Sequence, residues 1–143
     1  MEARFIELAG YINAGMPQFV LDKIQVSLND HDKPLRGSRV HIMGVAYKRD
    51  IDDLRESPAL DLIHLLQKRG AIVSYSDPFI QQIRLEDIDL EAVPESCAGA
   101  ADGTVVATDH SGFDYENLVA RAPLIVDCRN SLKGYSSPNV VRL

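Results

Sequence analysis

Two hydrophobic patterns alternate along most of the chain. Short apolar runs rich in β-branched residues are typical of strands in a parallel sheet covered on both faces, and apolar residues every three or four positions are typical of amphipathic helices. Strands are predicted at 39–45, 72–77, 104–108, 124–128 and 139–143, with helices at 58–69 and 114–121. This alternation predicts an α/β fold, a Rossmann-like three-layer sandwich around a mainly parallel sheet.

The segment between the second and third of these strands has a weaker pattern. A short turn or helix is expected near 79–84, and no helical period is sustained through 85–103. Within that stretch, 88–93 has the composition of a short strand, and 98–101 that of a short helical turn. The structure of this segment is therefore left open.

A long amphipathic helix is predicted ahead of the sheet, over residues 3–28. Its stripe includes Phe5, Leu8, Ala9, Ile12, Met16, Phe19, Val20, Ile24 and Leu28. Pro17 should kink this helix or restart it as a first-turn proline. The chain thus divides into a helical segment (1–30), a polar linker (31–37) and an α/β domain (38–143). A stripe of this length should either fold back on the α/β domain or pair with a second copy, and we expect a homodimer.

The loop after the first strand carries the most informative chemistry. It contains Gly44 alone rather than the G-x-G-x-x-G of a dinucleotide fingerprint, so a phosphate would be contacted by side chains, chiefly Lys48 and Arg55. Ser57 and Pro58 then mark a helix start. A second interpretation stays open, in which both cations merely pair with the nearby acids of a solvated loop. Those acids are Asp50, Asp52, Asp53 and Glu56.

Other polar residues follow the later strands. Because parallel strands end at one edge of a sheet, Lys48, Asp77, Asp109 and Arg129 should lie along that edge. Asp77 and Asp109 also suit ordinary turn and cap chemistry, and Asp109 in particular could act as an N-cap-type acceptor. Arg129 has only Asp127 as an adjacent acid, which favours an anionic ligand.

Composition narrows the possible functions. The 143 residues have a net charge of −6 and a pI near 5.1, which disfavours nonspecific binding of nucleic acid. No apolar span is long enough for a membrane helix, and two cysteines are too few for a disulfide scaffold, so a cytoplasmic protein is expected. The four scattered histidines do not indicate a metal site. No catalytic residue is identified, since neither Cys97 nor Cys128 lies in a context that lowers a thiol pKa.

The loop also resembles a known family. Gly44-Val-Ala-Tyr-Lys48, followed by Asp52-Asp-Leu-Arg-Glu-Ser-Pro58, is similar to the C-terminal nucleotide-sugar-binding domain of the UDP-glucose/GDP-mannose dehydrogenases. Further similarity extends through Tyr75-Ser-Asp-Pro78, Ala107-Thr-Asp-His110 and Ile125-Val-Asp-Cys-Arg-Asn130. Upstream, Arg4 to Gly10, Ile12-Asn13 and Met16-Pro17 resemble the end of the central helical domain, most of all in UDP-N-acetylhexosamine 6-dehydrogenases.

The resemblance implies specific roles. Tyr47, Lys48 and Arg129 would bind a UDP-sugar, and Arg55 would reach the pyrophosphate of NAD. The complete enzyme would oxidise the sugar C6 alcohol to a carboxylate. The NAD-binding domain, the central domain and the catalytic cysteine loop would be missing partners of this chain, so it should not bind NAD firmly and should be inactive alone.

Two other classes of protein are alternatives to this enzyme fragment. The chain could be a stand-alone nucleotide-sugar-binding or interaction module without catalysis. A phosphoacceptor receiver domain is a poor match, because Asp50, Asp52 and Asp53 share a loop with Lys48 instead of following the receiver arrangement.

Overall fold

The computed structural model describes residues 2–55, 57–85 and 87–142, with the backbone alone for residues 2–15. The helices are α1 (Glu2–Asp30), α2 (Pro58–Lys68) and α3 (Tyr115–Arg121), and a 3-10 helix spans Glu95–Ala100. The strands are β1 (Arg39–Met43), β2 (Ile72–Ser76), β3 (Gln82–Leu85), β4 (Ile88–Glu91), β5 (Gly103–Val106), β6 (Ile125–Asp127) and β7 (Val140–Arg142). No helix among the described residues is long and apolar enough to cross a membrane.

Five strands form one sheet in the order β2-β1-β5-β6-β7, and every neighbouring pair is parallel. Strand β1 is an interior strand of this sheet, because Val40 is paired with Val73 of β2 on one side and with Gly103 of β5 on the other. The parallel Rossmann-like architecture predicted from the alternating pattern is confirmed. The loops that leave β1, β2, β5 and β6 consequently meet at the carboxyl edge.

Helices cover both faces of this sheet. On one face, α1 and α2 pack on a core built from Val40, Ile42, Val73, Tyr75, Val105, Leu124 and Val126. On the other face, residues from the 3-10 helix and α3 meet Met43, Val106 and Ile125. The near-continuous burial of β1, β5 and β6 follows from this double cover.

Helix α1 runs through Pro17 as one element, so of the two effects expected of that proline, a kink or a restart, the restart is excluded. Beyond Pro17, the stripe of Val20, Leu21, Ile24 and Leu28 is buried in the same core as α2 and the sheet. This half of α1 therefore folds back on the α/β domain, one of the two expected arrangements. The side chains of Phe5, Leu8, Ala9 and Ile12, which belong to the same predicted stripe, lie outside those described.

The segment predicted as a turn or helix near 79–84 starts with a bend at Pro78 and Phe79 and then continues as strand β3 from Gln82, which was not predicted. β3 and β4 form an antiparallel hairpin, with Ile83 paired to Leu90. Ile83 and Ile88 are buried while most of their neighbours are exposed, and a two-residue alternation over four positions is too short to identify from sequence. The short strand predicted at 88–93 and the helical turn at 98–101 are both confirmed, as β4 and the 3-10 helix.

Strand β1 ends at Met43, two residues earlier than predicted. Gly44 has a φ of +84°, which turns the chain out of the sheet. The N–H groups of Val45 and Ala46 then donate to the Asp77 carboxylate rather than to a neighbouring strand. The strand was predicted to extend to Val45 because the apolar run in the sequence does not stop at Met43. That run continues because Val45 and Ala46 are buried in the core although they lie outside the strand.

Candidate binding site at the carboxyl edge of the sheet

A cavity of about 540 Å³ opens at the carboxyl edge of the sheet. It lies between the middle of α1, the start of α2, and the loops that follow β1, β5 and β6. Its lining comprises Met16, Pro17, Val20, Tyr47, Lys48, Ser57, Pro58, Ala59, Asp61, Leu62, Ala107, Thr108, Cys128 and Arg129. The volume and the mixture of apolar walls with a few polar groups are typical of small-molecule sites.

Tyr47 and Lys48 reach the cavity from the loop after β1. Both are exposed, and the Lys48 Nζ lies 5.8 Å from the centroid of the Tyr47 ring. Among the side chains that the structure describes, no carboxylate lies within 4.0 Å of this ammonium. Pairing of Lys48 with Asp50, Asp52 or Asp53 is thereby excluded, while Glu56 lies outside the described residues.

Arg129 reaches the same cavity from the loop after β6. Its Nε donates to the Ala107 carbonyl oxygen at 2.8 Å, which orients the guanidinium toward the neighbouring strand end. It forms no ion pair with a described carboxylate, and the adjacent, buried Asp127 accepts instead from the backbone N–H groups of Arg129, Ser131 and Leu132. Sequence reasoning left Asp127 as a possible partner, and the structure assigns it to the turn instead.

The start of α2 adds a third favourable feature for an anion. Ser57 is the N-cap: its Oγ accepts from the Ala59 N–H at 3.3 Å and donates to the Val45 carbonyl oxygen at 2.7 Å. Pro58 occupies the first helical position, as predicted. The partial positive charge at the N-terminus of this helix is therefore on the cavity wall, close to the loop between β1 and α2 that carries Lys48, here called the Lys48 loop.

Cys128 lines the cavity, but its thiol is not activated as a nucleophile. Burial, reinforced by the Asp127 carboxylate, raises the pKa of the Cys128 thiol to about 12, and Arg129 only partly opposes this. A nucleophilic cysteine needs the opposite shift, toward the thiolate. A thiol with so high a pKa is a poor nucleophile at neutral pH.

Arg55 is not part of the cavity lining. Its side chain is 90% exposed, and its Nε lies 3.1 Å from Asp53 Oδ1. An ion pair this exposed contributes little to stability. Of the four predicted site residues, the fold brings Tyr47, Lys48 and Arg129 together and leaves Arg55 on the outer surface of the loop.

Among the described residues, the loop after β1 does not have the form of a dinucleotide-binding turn. In a dinucleotide fingerprint, glycines let the backbone approach the pyrophosphate. Here the space beside Gly44 is filled by protein, because a Cβ at this position would lie 2.3 Å from the Thr108 carbonyl oxygen. Gly44 therefore serves close packing against the loop after β5.

Sequence reasoning missed the two side chains that support the site, those of Asp77 and His110. Asp77, interpreted as turn chemistry, does cap the turn through the N–H groups of Phe79 and Ile80, but it also binds the Lys48 loop and His110. His110 had no assigned role. Asp109 does not cap the following helix, since the N-cap of α3 is Asp114.

The α1 wall of the cavity was not predicted either. This wall is formed by Met16, Pro17 and Val20. Met16 and Val20 belong to the apolar stripe of α1, which sequence analysis assigned to core or dimer contacts. Helical periodicity identifies an apolar face, but it does not say which part of that face meets a ligand.

Comparison with known proteins places this geometry in context. A UDP-glucose 6-dehydrogenase of Rhizobium meliloti is 35% identical over 67% of this chain and 24% of its own length. A UDP-N-acetyl-D-mannosamine dehydrogenase of Campylobacter jejuni is 38% identical over 59% of this chain and 20% of its own. The solved structure of a UDP-D-ManNAc dehydrogenase from Pyrococcus horikoshii superposes with a TM-score of 0.77 at 25% identity, covering 96% of this chain and 32% of that one.

The chain spans about a quarter of the length of the first of these relatives. Residues 41–134 match the UDP binding domain of one family, and this range contains every strand end that contributes to the cavity. The chain belongs to the UDP-glucose/GDP-mannose dehydrogenase family.

Proposed function

We propose that the cavity at the carboxyl edge binds the diphosphate and sugar of a UDP-sugar. The observation that carries this proposal is the convergence of Lys48 and Arg129 on one cavity, with neither cation neutralised by a described carboxylate. Surface cations usually have solvent or an acid as partner, whereas two unneutralised cations beside a helix N-terminus suit an anionic ligand.

The three side chains have different tasks in this proposal. Lys48 acts as a point charge on the diphosphate, and Arg129 uses the part of its guanidinium not directed at Ala107. Tyr47, whose ring lies beside Lys48, contacts the sugar. Affinity should be weak, because the ligand meets only one side of its binding cleft and must still offset the cost of being immobilised.

In the complete enzyme, we propose, the C6 alcohol of the bound nucleotide sugar is oxidised to a carboxylate in two two-electron steps, which consume two molecules of NAD⁺ and one of water. We propose that Arg55, whose side chain is 90% exposed, contacts the pyrophosphate of an NAD molecule bound to another domain. The 143-residue chain should then form no NADH with any UDP- or GDP-sugar. Measurable turnover by the purified chain would contradict this assignment of domains.

A homodimer and a cytoplasmic location complete the proposal. Phe19 and Val26 lie seven residues apart on α1, with exposed fractions of 54% and 60%. Two large apolar side chains on one helix face are a suitable contact for a second copy around a twofold axis.

Cys97 and Cys128 are both free thiols, which is compatible with a reducing compartment.

Titration of UDP into the purified chain, by calorimetry or NMR, tests the binding site. Lys48→Ala should weaken binding by about 1.5–3 kcal/mol, the range for hydrogen bonds to charged groups. Lys68→Ala is the matched control, because Lys68 is an exposed lysine at the far end of α2. Equal affinities of Lys48→Ala and the unmodified chain, with both folded, would favour the solvated-loop interpretation.

A further inference from the structure

We propose that Asp77 and His110 act as a buried clamp that positions Lys48 for ligand binding, an inference that rests on the proposed function of the cavity. Asp77 follows β2 and is 5% exposed. Its Oδ2 accepts from the N–H groups of Val45 at 2.8 Å and Ala46 at 3.1 Å. This carboxylate therefore holds the entry to the Lys48 loop.

His110 holds the other side of the loop. It is completely buried; its Nδ1 lies 2.8 Å from the Asp50 backbone nitrogen, and its Nε2 lies 2.9 Å from Asp77 Oδ2. Because a backbone N–H can only donate, Nδ1 must be the acceptor, so the hydrogen-bond network assigns the proton to Nε2, which donates to Asp77. The pair thus fixes the loop at Ala46 and at Asp50, on either side of Lys48.

At Asp50, the second of these two positions, the loop has an uncommon backbone conformation. Asp50 has a φ of +59°, in the left-handed region that non-glycine residues seldom adopt. Its carboxylate accepts from the Ser111 N–H at 2.8 Å and from the Ser111 Oγ at 2.6 Å. Since Ser111 directly follows His110, one short segment binds Asp50 through both its backbone and its side chain.

Aromatic rings isolate the clamp from water. The rings of Phe79 and Phe113 lie 5.0 and 5.5 Å from the imidazole of His110, centroid to centroid. A hydrogen bond in such surroundings is stronger than one exposed to solvent, and an unpaired group there is more costly. The clamp is consequently rigid while Lys48 itself stays exposed.

Neither clamp residue is itself suited to contact the ligand. His110 has no exposed surface, and neither it nor Asp77 lines the cavity. A carboxylate would also repel a diphosphate. Their effect on binding must therefore pass through the Lys48 loop. When this loop is already ordered in the free protein, binding does not have to supply the free energy needed to order it, so affinity is higher.

Three variants of the full 143-residue chain test the clamp. His110→Leu removes both hydrogen bonds, and His110→Gln retains an amide donor and acceptor. His41→Leu is the matched control, since His41 is equally buried but bonds Ser74 and Ser76, away from the loop. His110→Leu should weaken UDP binding about five- to thirtyfold, whereas His110→Gln should largely recover it and His41→Leu should leave it unchanged.

Amide hydrogen exchange provides a second readout that needs no ligand. The Asp50 amide should be protected in the unmodified chain and in His110→Gln, and should exchange rapidly in His110→Leu while the amides of β1 stay protected. If His110→Leu does not fold, Ser111→Ala replaces it, because this exposed residue can lose its hydroxyl bond to Asp50 without disturbing the core. It should also speed exchange at Asp50.

A double-mutant cycle separates this proposal from the proposed function. If the clamp acts through Lys48, adding His110→Leu to Lys48→Ala should weaken binding less than it does alone. Failure of Lys48→Ala to affect affinity would overturn the binding site, but the exchange experiment would still test the clamp. Unchanged exchange at Asp50 in His110→Leu, absence of rescue by His110→Gln, or full additivity with Lys48→Ala would each overturn the clamp.

Discussion

Gly44 and Thr108 approach so closely that a Cβ on Gly44 would lie 2.3 Å from the Thr108 carbonyl oxygen. The hydroxyl of Thr108 also donates to the Ala46 carbonyl oxygen at 2.7 Å. The loop after β5 thus packs directly on the turn that carries Tyr47 and Lys48. Two loops that meet only after folding define one wall of the cavity.

Gly44→Ala should destabilise the protein by about 2–5 kcal/mol, the sum of a left-handed backbone penalty and a backbone clash. Gly37→Ala is the control, because Gly37 has nearly the same φ, +83°, and nothing lies within 4 Å of the added Cβ. It should cost only about 1–2 kcal/mol. Urea denaturation measures both free energies of unfolding, and equal losses would show that the contact with Thr108 is unimportant.

The two cysteines should differ sharply in their reaction with iodoacetamide at pH 8. Cys97 is exposed, whereas burial raises the pKa of Cys128 to about 12, so its thiolate fraction is on the order of 10⁻⁴. One thiol should therefore react quickly and the other slowly in mass spectrometry. Cys97→Ser should abolish the fast phase. A fast phase that survives in Cys97→Ser would contradict the unreactive state assigned to Cys128.

Stability should fall as the pH is lowered from about 6.5 to about 4. Burial lowers the pKa of His41 from 6.5 to about 4, so in this window the unfolded chain binds a proton that the folded chain does not. The free energy of unfolding therefore rises with pH across the window, by about 3 kcal/mol in all.

Urea denaturation at several pH values measures this slope, and His41→Gln should flatten it. Asp50, Asp53 and Asp102 do not mimic the effect, because their pKa values are lowered below 3.8 and their contribution is lost only in more acidic solution. The same slope in His41→Gln and in the unmodified chain would assign the pH dependence to another group.

Association through α1 should depend on Phe19 and Val26. Removing the helix would expose the core, because Val20, Leu21, Ile24 and Leu28 are buried against the α/β domain, so a substitution is the sounder test. Phe19→Asp with Val26→Asp should convert the expected dimer to a monomer in light scattering. Leu85→Asp, at an exposed apolar residue of the hairpin, is the control. A monomeric unmodified chain would reject the dimer.

Local sequence patterns are sufficient to predict the parallel α/β sheet and the positions of Lys48 and Arg129 after its strands. These features depend on patterns that repeat within one element: apolar runs for β1, β5 and β6, and an N-cap with a proline for α2. Burial on one or both faces imposes such patterns locally, so they can be seen without the fold.

The contacts that support the site can be recognised only in the folded protein. Asp77 and His110 are 33 positions apart, and each alone suggests no more than turn chemistry or a buried histidine. The hairpin was missed because four residues are too few to establish a period. Hydrogen bonds between distant loops depend on where the strands end in space, and one chain contains no local signal for that arrangement.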